Sequence, residues 1–199
     1  MISRSSDNTT LANVAFNVAV PQVSMTVSNG QAVSGTLVIT LAPRQAPITV
    51  DNFLAYVNSG FYTGVVFHRH VPNFVLQGGG YAGPLNSAAG TLPNLKTTAA
   101  PIALEAGRGL SNLRLSVAMA RTNDLNSATS QFFINTVDNP SLDTAFGGYA
   151  VFGSISAGAD GVSTMVAAPC SIWPAFFGNN GPDCLPSPNL SIVSAVQTR

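Results

Sequence analysis

The sequence predicts a mainly β fold, either a β-sandwich or a closed barrel, with few helices. Apolar and polar residues alternate in the opening and closing segments, at the period of a strand that is buried on one face. The short apolar runs between them are bounded by Gly, Pro or Asn, which favour turns. Only 8% of the 199 residues are charged and 46% are hydrophobic. Ser, Thr, Asn, Gln and Gly must therefore cover much of the surface, and these residues suit turns and exposed strand faces.

Two alternating segments open the chain and predict antiparallel strands. Residues 14–20 and 23–27 alternate, and the turn signal Asn29-Gly30 follows them. Residues 36–41 then alternate again. The residues expected to face inward are Val14, Phe16, Val18, Val20, Val23, Met25, Val27, Leu37, Ile39 and Leu41.

A short helix is expected next. Pro43 and Pro47 break the sheet, residues 49–59 have helical spacing, and Gly60 supplies a stop. The apolar stripe of this helix consists of Phe53, Leu54 and Val57. A short helix that follows a strand and ends at Gly fits the cap of a barrel.

The rest of the chain predicts further strands and a second helix. Residues 157–168 have helical character, although Gly158 and Gly161 weaken that prediction. Residues 190–196 alternate once more and can close the sheet with the first strands. The short runs expected as the middle strands are residues 65–68, 74–77, 116–120, 131–135 and 149–155.

Charge and hydropathy exclude several classes of protein. Eight basic residues balance eight acidic ones without clusters, so the charge pattern of a nucleic-acid binder or a membrane-surface protein is missing. No apolar run reaches the ~18 residues of a membrane span, and residues 1–10 lack the apolar part of a secretory signal. We expect one monomeric domain over residues 1–199, with a polar tail at 1–10 and a Cys-bearing loop insertion at 168–188.

The two cysteines lie in a segment rich in Pro, Gly and Asn. Cys170 and Cys184 are 14 positions apart, which favours a local disulfide contributing roughly 3 kcal/mol. The alternative is two free thiols packed as small apolar groups, and the pair is too small a set for a four-ligand zinc site. A disulfide, the scarce charge and a single lysine, Lys96, indicate a bacterial periplasm or secretion, with the cytoplasm as the alternative.

Several common catalytic classes lack their motifs here. His68 and His70 share one face of a predicted strand, but the nearest acid in sequence is Asp51 in the predicted helix, so no metal or other cofactor is expected. No G-x-S-x-G motif is present to place a nucleophile. The glycine run at 78–80 lacks the Lys-Ser/Thr of a phosphate loop.

Two segments stand out, residues 66–80 (VFHRHVPNFVLQGGG) and residues 116–135 (SVAMARTNDLNSATSQFFIN). The first places Arg69 in or beside a strand, and the second sets Gln131 and Phe133 on one strand face. Taken singly, each segment also fits a solvated arginine and core phenylalanines.

Together the segments resemble the cyclophilin family of peptidyl-prolyl isomerases, most closely its bacterial branch. The resemblance spans residues 33 to 166 and, more weakly, 190 to 197. It implies an eight-stranded antiparallel barrel capped by two helices, with the active groove on the outside of the wall. The matching stretches are Phe67-His68-Arg69, Phe74, Gln77-Gly78-Gly79, 116–121, 130–134, Leu142-Asp143, 148–153 and the helix at 46–62.

The resemblance also implies a role for each matching residue. Arg69 would be the catalytic cation, and the backbone at Arg121, with Ala120, would hold the residue that precedes proline. The implied proline pocket consists of Phe74, Val75, Phe133 and Leu142. The implied further contacts come from Gln77, Gln131 and Tyr149.

The chain departs from the family pattern at two places. Ser141 stands where relatives usually have Trp or Phe at the pocket rim, which predicts weakened binding of cyclosporin-type cyclic peptides with isomerase activity retained. The insertion at 168–188 adds three aromatic residues, expected as a satellite core rather than an exposed patch. They are Trp173, Phe176 and Phe177.

The function expected from this resemblance is isomerisation of X-Pro bonds in proline-containing peptides and unfolded proteins, which assists folding. The competing hypothesis is a catalytically weak module on the same barrel that binds proline segments or acts as a chaperone. A metal-dependent hydrolase that uses His68 and His70 is a weaker alternative.

Overall fold

The computed structural model describes residues 19–85, 94–172 and 183–199. These ranges contain ten strands, two α-helices and two 3₁₀ turns, the turns at Pro140–Asp143 and Ala145–Gly147. The helices are α1 (Pro47–Asn58) and α2 (Ala159–Val166). The strands are β1 (Gln22–Ser28), β2 (Ser34–Leu41), β3 (Val65–Val71), β4 (Val75–Ala82), β5 (Ser116–Met119), β6 (Phe132–Asn135), β7 (Val151–Ala157), β8 (Cys170–Ile172), β9 (Cys184–Pro186) and β10 (Leu190–Gln197).

Eight of these strands form a closed antiparallel barrel. Their order around the wall is β10-β1-β2-β7-β5-β6-β4-β3, and pairing of β10 with β3 closes the ring. The closing pairs are Leu190 with Phe67 and Ser191 with Val66. The predicted barrel is confirmed, and closure removes the free edges that an open sheet would expose.

The first two strands follow the predicted alternation, with one correction. Val23, Met25 and Val27 of β1 are buried, as are the inward residues of β2. Val20 was expected to face inward but is exposed, because β1 begins only at Gln22, after a proline. Residues 14–18 of the predicted strand lie outside the described residues.

Helix α1 closes one end of the barrel. It begins at Pro47, two residues before the predicted start, since Pro suits the first turn of a helix. Phe53 is fully buried, and its ring centroid lies 5.7 Å from that of Phe132 and 4.9 Å from that of Phe152. Leu54, expected in the apolar stripe, is only partly buried. No helix within the described ranges is long and apolar enough to cross a bilayer.

Helix α2 is shorter than predicted, and its glycines have packing roles. Gly158 precedes the helix with φ +84°, and a Cβ there would lie 2.2 Å from the carbonyl oxygen of Thr36. Val162 and Met165 are buried toward the barrel core. The close approach of α2 to β2 therefore depends on residues that reduce helix propensity.

The predicted disulfide joins Cys170 of β8 to Cys184 of β9, with 5.5 Å between their Cα atoms. The two strands pair with each other, and β9 also pairs with β3 at His70. The insertion therefore has regular structure at both ends, which the sequence did not indicate. Its three aromatic residues lie outside the described residues.

Candidate active site

The candidate site lies on the outer side of the barrel wall, over strands β3, β4, β5 and β6. Adjacent residues of β6 face opposite sides of this wall. Phe132 packs inside the barrel, whereas Phe133 belongs to a second apolar cluster outside it. The same cluster includes Val75 of β4 and Leu142 of a 3₁₀ turn. The alternation predicted for residues 131–135 is confirmed, and it separates the core from the site.

A cavity of about 240 Å³ opens above this cluster. Such a volume is below the roughly 300–1,000 Å³ of drug-sized pockets and suits one small ring. The lining residues are Arg69, Phe74, Val75, Gln77, Ala120, Arg121, Phe133, Leu142, Phe146 and Tyr149. The structure thus brings together nine of the ten residues that the sequence singled out. The tenth, Gln131, lines an adjoining cavity of about 190 Å³.

Arg69 is held at the cavity by a chain of side-chain hydrogen bonds. It pairs with Gln77 across β3 and β4. Its Nη1 donates to Oε1 of Gln77 over 3.2 Å, and Nε2 of Gln77 donates to Oε1 of Gln131 over 3.0 Å. The two glutamines therefore link the guanidinium to the start of β6, which Gln131 directly precedes.

Asp183 also contacts Arg69, and the sequence analysis did not identify it. Nε of Arg69 donates to Oδ2 of Asp183 over 2.6 Å. The Arg69 side chain is 29% exposed and that of Asp183 17%. The one sequence signal was the position of Asp183 directly before Cys184, because a disulfide fixes the residues beside it.

The glycine run of β4 allows Gln131 to approach the wall. A Cβ on Gly80 would lie 2.7 Å from Nε2 of Gln131, and one on Gly79 would lie 2.6 Å from the carbonyl oxygen of Ser130. The run is therefore explained by close packing between neighbouring strands.

Leu142 is fixed below the cavity by a polar network around Asp143. Asp143 accepts hydrogen bonds from the hydroxyl of Ser111 and from the backbone and side-chain N–H groups of Asn112. Burial alone would raise the pKa of Asp143, but these hydrogen bonds outweigh it and hold the pKa below its usual value. The N–H of Tyr149 donates to the carbonyl of Leu142 over 3.0 Å, which joins the network to the next pocket residue.

The far rim of the cavity is formed by Phe146, which the sequence analysis missed. The residue is 77% exposed and its backbone has φ 55°. Nη2 of Arg121 donates to the carbonyls of Phe146 over 2.7 Å and Gly148 over 2.8 Å. The Arg121 guanidinium also lies 4.6 Å from the ring centroid of Tyr149. Arg121, expected to act through its backbone, thus shapes the rim with its side chain.

The two histidines have separate surroundings. His68 is buried against Tyr81, with 4.7 Å between ring centroids. Burial and, to a lesser extent, the charge of Arg69 lower the pKa of His68 to about 3. His70 lies within 4.8 Å of the sulfurs of Cys170 and Cys184, and the disulfide bond occupies those sulfurs.

A closed β-barrel that carries an arginine beside a small apolar cavity on its outer wall is the architecture that the resemblance to peptidyl-prolyl isomerases implies. The model of the cyclophilin type peptidyl-prolyl cis-trans isomerase/CLD family matches residues 22–176. The chain belongs to this family, as the motifs predicted, and it is a peptidyl-prolyl cis-trans isomerase.

Individual relatives agree with this assignment. A peptidyl-prolyl cis-trans isomerase of Acinetobacter baylyi is 45% identical over 141 residues, which are 70% of this chain and 71% of the relative. Peptidyl-prolyl cis-trans isomerase A of Dickeya dadantii is 42% identical over 152 residues, or 75% of this chain and 76% of the relative. The fold resembles a Cryptosporidium parvum cyclophilin with a TM-score of 0.67 at 22% identity, covering 91% of this chain and 99% of that one.

Proposed function

We propose that Arg69 catalyses the rotation of X-Pro bonds held in the adjoining cavity, in proline-containing peptides and unfolded proteins. The observation that carries this proposal is the position of the guanidinium, which is fixed by Gln77 at the edge of a cavity lined by apolar rings. No covalent bond has to break in this reaction.

The chemistry requires a donor that is satisfied only during the rotation. Amide resonance sets a barrier of ~18–20 kcal/mol to rotation about a peptide bond. At the twisted transition state conjugation is lost, and the proline nitrogen regains a lone pair that can accept a hydrogen bond. An interaction available only in that state accelerates the reaction.

Arginine suits this task because its guanidinium is planar, always protonated and only a donor. A hydrogen bond to a charged group contributes roughly 1.5–3 kcal/mol, which corresponds to about tenfold to a hundredfold in rate. Further acceleration would come from removing the amide from water and fixing the proline ring. Phe74, Phe133 and Leu142 supply the apolar surface for that ring.

The test is an NMR exchange or protease-coupled assay on an X-Pro peptide with the Arg69→Ala variant. We expect kcat/KM to fall at least about tenfold, since the transition-state hydrogen bond is lost. Arg114→Ala is the matched control because Arg114 is exposed and outside the residues that line the cavity. Wild-type exchange rates in Arg69→Ala would contradict the catalytic role of Arg69. Inactivity of the wild type itself would favour the binding or chaperone module.

The pocket rim supports a proposal about inhibitors. Ser141 is exposed and is not among the described residues that line the cavity, so no large ring covers the pocket from that position. Weak binding of cyclosporin-type cyclic peptides is the expected result. Ser141→Trp should raise their affinity at least about tenfold by burying an indole ring, as measured by isothermal calorimetry. A low nanomolar inhibition constant for the wild type would contradict this proposal.

The disulfide supports a location in an oxidising compartment, the bacterial periplasm or outside the cell. A thiol titration of protein isolated without reductant should find no free cysteine. Two titratable thiols would favour the cytoplasm.

The protein is also expected to be a monomer, so the same preparation should sediment as a single monomeric species.

A further inference from the structure

Asp183 holds one edge of the Arg69 guanidinium while Gln77 holds another. The Nε–Oδ2 distance of 2.6 Å is that of a short charge-assisted hydrogen bond. Nη1 is engaged by Gln77 at 3.2 Å. Because the guanidinium is planar, two anchored donors fix the orientation of the whole group. The remaining N–H groups of Nη1 and Nη2 are then the ones available to a substrate.

Two separate constraints hold Asp183 beside Arg69. Asp183 directly precedes Cys184, whose backbone pairs with His70, the residue that follows Arg69. The disulfide ties the same Cys184 to β8. A carboxylate 114 positions away in sequence is therefore fixed beside the arginine by strand pairing and by a covalent bond.

Asp183 is not among the described residues that line the cavity, whereas Arg69 is. Asp183 therefore affects the reaction through its hydrogen bond to Arg69 and not by contact with the substrate. A guanidinium that is already oriented needs no reorganisation when the proline nitrogen develops its lone pair, and preorganised donors stabilise transition states most effectively.

We propose that Asp183 is a positioning residue that orients Arg69 for the transition state, an inference that rests on the proposed catalytic role of Arg69. The position of Asp183 in turn depends on β9 and the disulfide. The cyclophilin barrel would thus use the inserted segment to fix a residue of its active site.

The test compares Asp183→Ala and Asp183→Asn with the wild type by NMR exchange at saturating and limiting peptide. We expect kcat of Asp183→Ala to fall about tenfold with KM nearly unchanged, because the lost effect concerns only the transition state. Asp183→Asn should recover part of the loss, since its amide oxygen can still accept from Nε. Asp51→Ala, which removes an exposed carboxylate on α1, is the control and should keep the wild-type kcat.

A double-mutant cycle separates this inference from the proposed function. In the Arg69→Ala background, Asp183→Ala should cause no further loss, since it acts only through Arg69. Unchanged or raised kcat in both Asp183 variants, with Arg69→Ala impaired, would overturn the positioning role alone. Full activity of Arg69→Ala would overturn the proposed function. A loss of thermal stability in Asp183→Ala without a fall in its kcat would also overturn the positioning role.

Discussion

Phe146 places an aromatic ring at the rim of the cavity, in the second 3₁₀ turn, which follows the turn that contains Ser141. Its left-handed backbone is held by Arg121, which binds the carbonyls of Phe146 and Gly148. No local pattern in the sequence indicates this arrangement, because it depends on an arginine 25 positions away. This turn thus adds an apolar ring to the lining of the cavity.

The Phe146→Ala variant should raise KM for an X-Pro peptide about fivefold while kcat stays near the wild-type value. Covering part of an aromatic side chain contributes on the order of 1 kcal/mol, and this contact is made equally in the ground and transition states. Steady-state kinetics at several peptide concentrations measures both constants. Val193→Ala removes apolar surface outside the cavity and should leave KM unchanged. An unaltered KM in Phe146→Ala would exclude a substrate contact.

Residues within strands were predictable because their period places them. Arg69 and Gln77, eight positions apart, lie opposite each other across β3 and β4. The side chains of Gln131 and Phe133 lie on the same face of one segment. Asp183 and Phe146 were not predictable, because the pairing of β9 with β3 places Asp183 and the contact with Arg121 places Phe146. The spacing of the two cysteines predicted the disulfide but not the strand that β9 pairs with.

Helix α2 shows why the presence of an element can be predicted from the sequence when its ends cannot. The periodicity of residues 157–168 identified a helix, and the glycines argued against it. In the structure Gly158 lies before the first helical residue, where its positive φ and missing side chain allow contact with Thr36. Close packing between α2 and β2 requires a glycine at this position, and the residue pattern of one segment does not show that requirement.

Gly158→Ala should destabilise the protein by at least about 2 kcal/mol, because a positive φ and a backbone clash are combined at one residue. Gly107→Ala is the matched control, since Gly107 has φ +72° but nothing within 4 Å of its added Cβ. Urea unfolding of both variants gives the comparison. Equal midpoints for the two variants would contradict the role of the contact with Thr36.

The residues alone predicted the fold class of the molecule, but they did not predict the order of the strands around the barrel. Alternation identified β1, β2 and β10, and the family motifs implied eight strands in a ring. Closure depends on Leu190 meeting Phe67, two residues far apart in sequence whose pairing no local pattern reports. Packing of the complete chain therefore decided between a sandwich and a barrel.

The stability of the whole molecule should fall on acidification below about pH 6.5. The pKa of His68 is lowered to about 3, and burial lowers that of His70, so the unfolded chain binds protons that the native state excludes. The free energy of unfolding therefore decreases as pH falls, by at most about 1.4 kcal/mol per pH unit for one histidine. The hydrogen-bonded Asp143 has a lowered pKa and adds a loss of the same sign at still lower pH.

Urea unfolding between pH 7 and pH 4 measures this dependence. His68→Phe replaces the titrating ring with one that cannot bind a proton, and its unfolding free energy should change less steeply with pH than that of the wild type. Equal slopes would show that His68 does not carry the effect.

The placement of the cavity outside a closed wall has a consequence for the kind of chain that can be processed. In the proposed function, a polypeptide would bind to the outer face of the barrel at an internal proline and dissociate the same way, without passing a chain terminus through an opening. The barrel wall behind the cavity is continuous, so its strands need not separate for a substrate to bind. The proposed site therefore requires no free chain end in its substrate, and an exposed proline in a loop anchored at both ends meets this requirement.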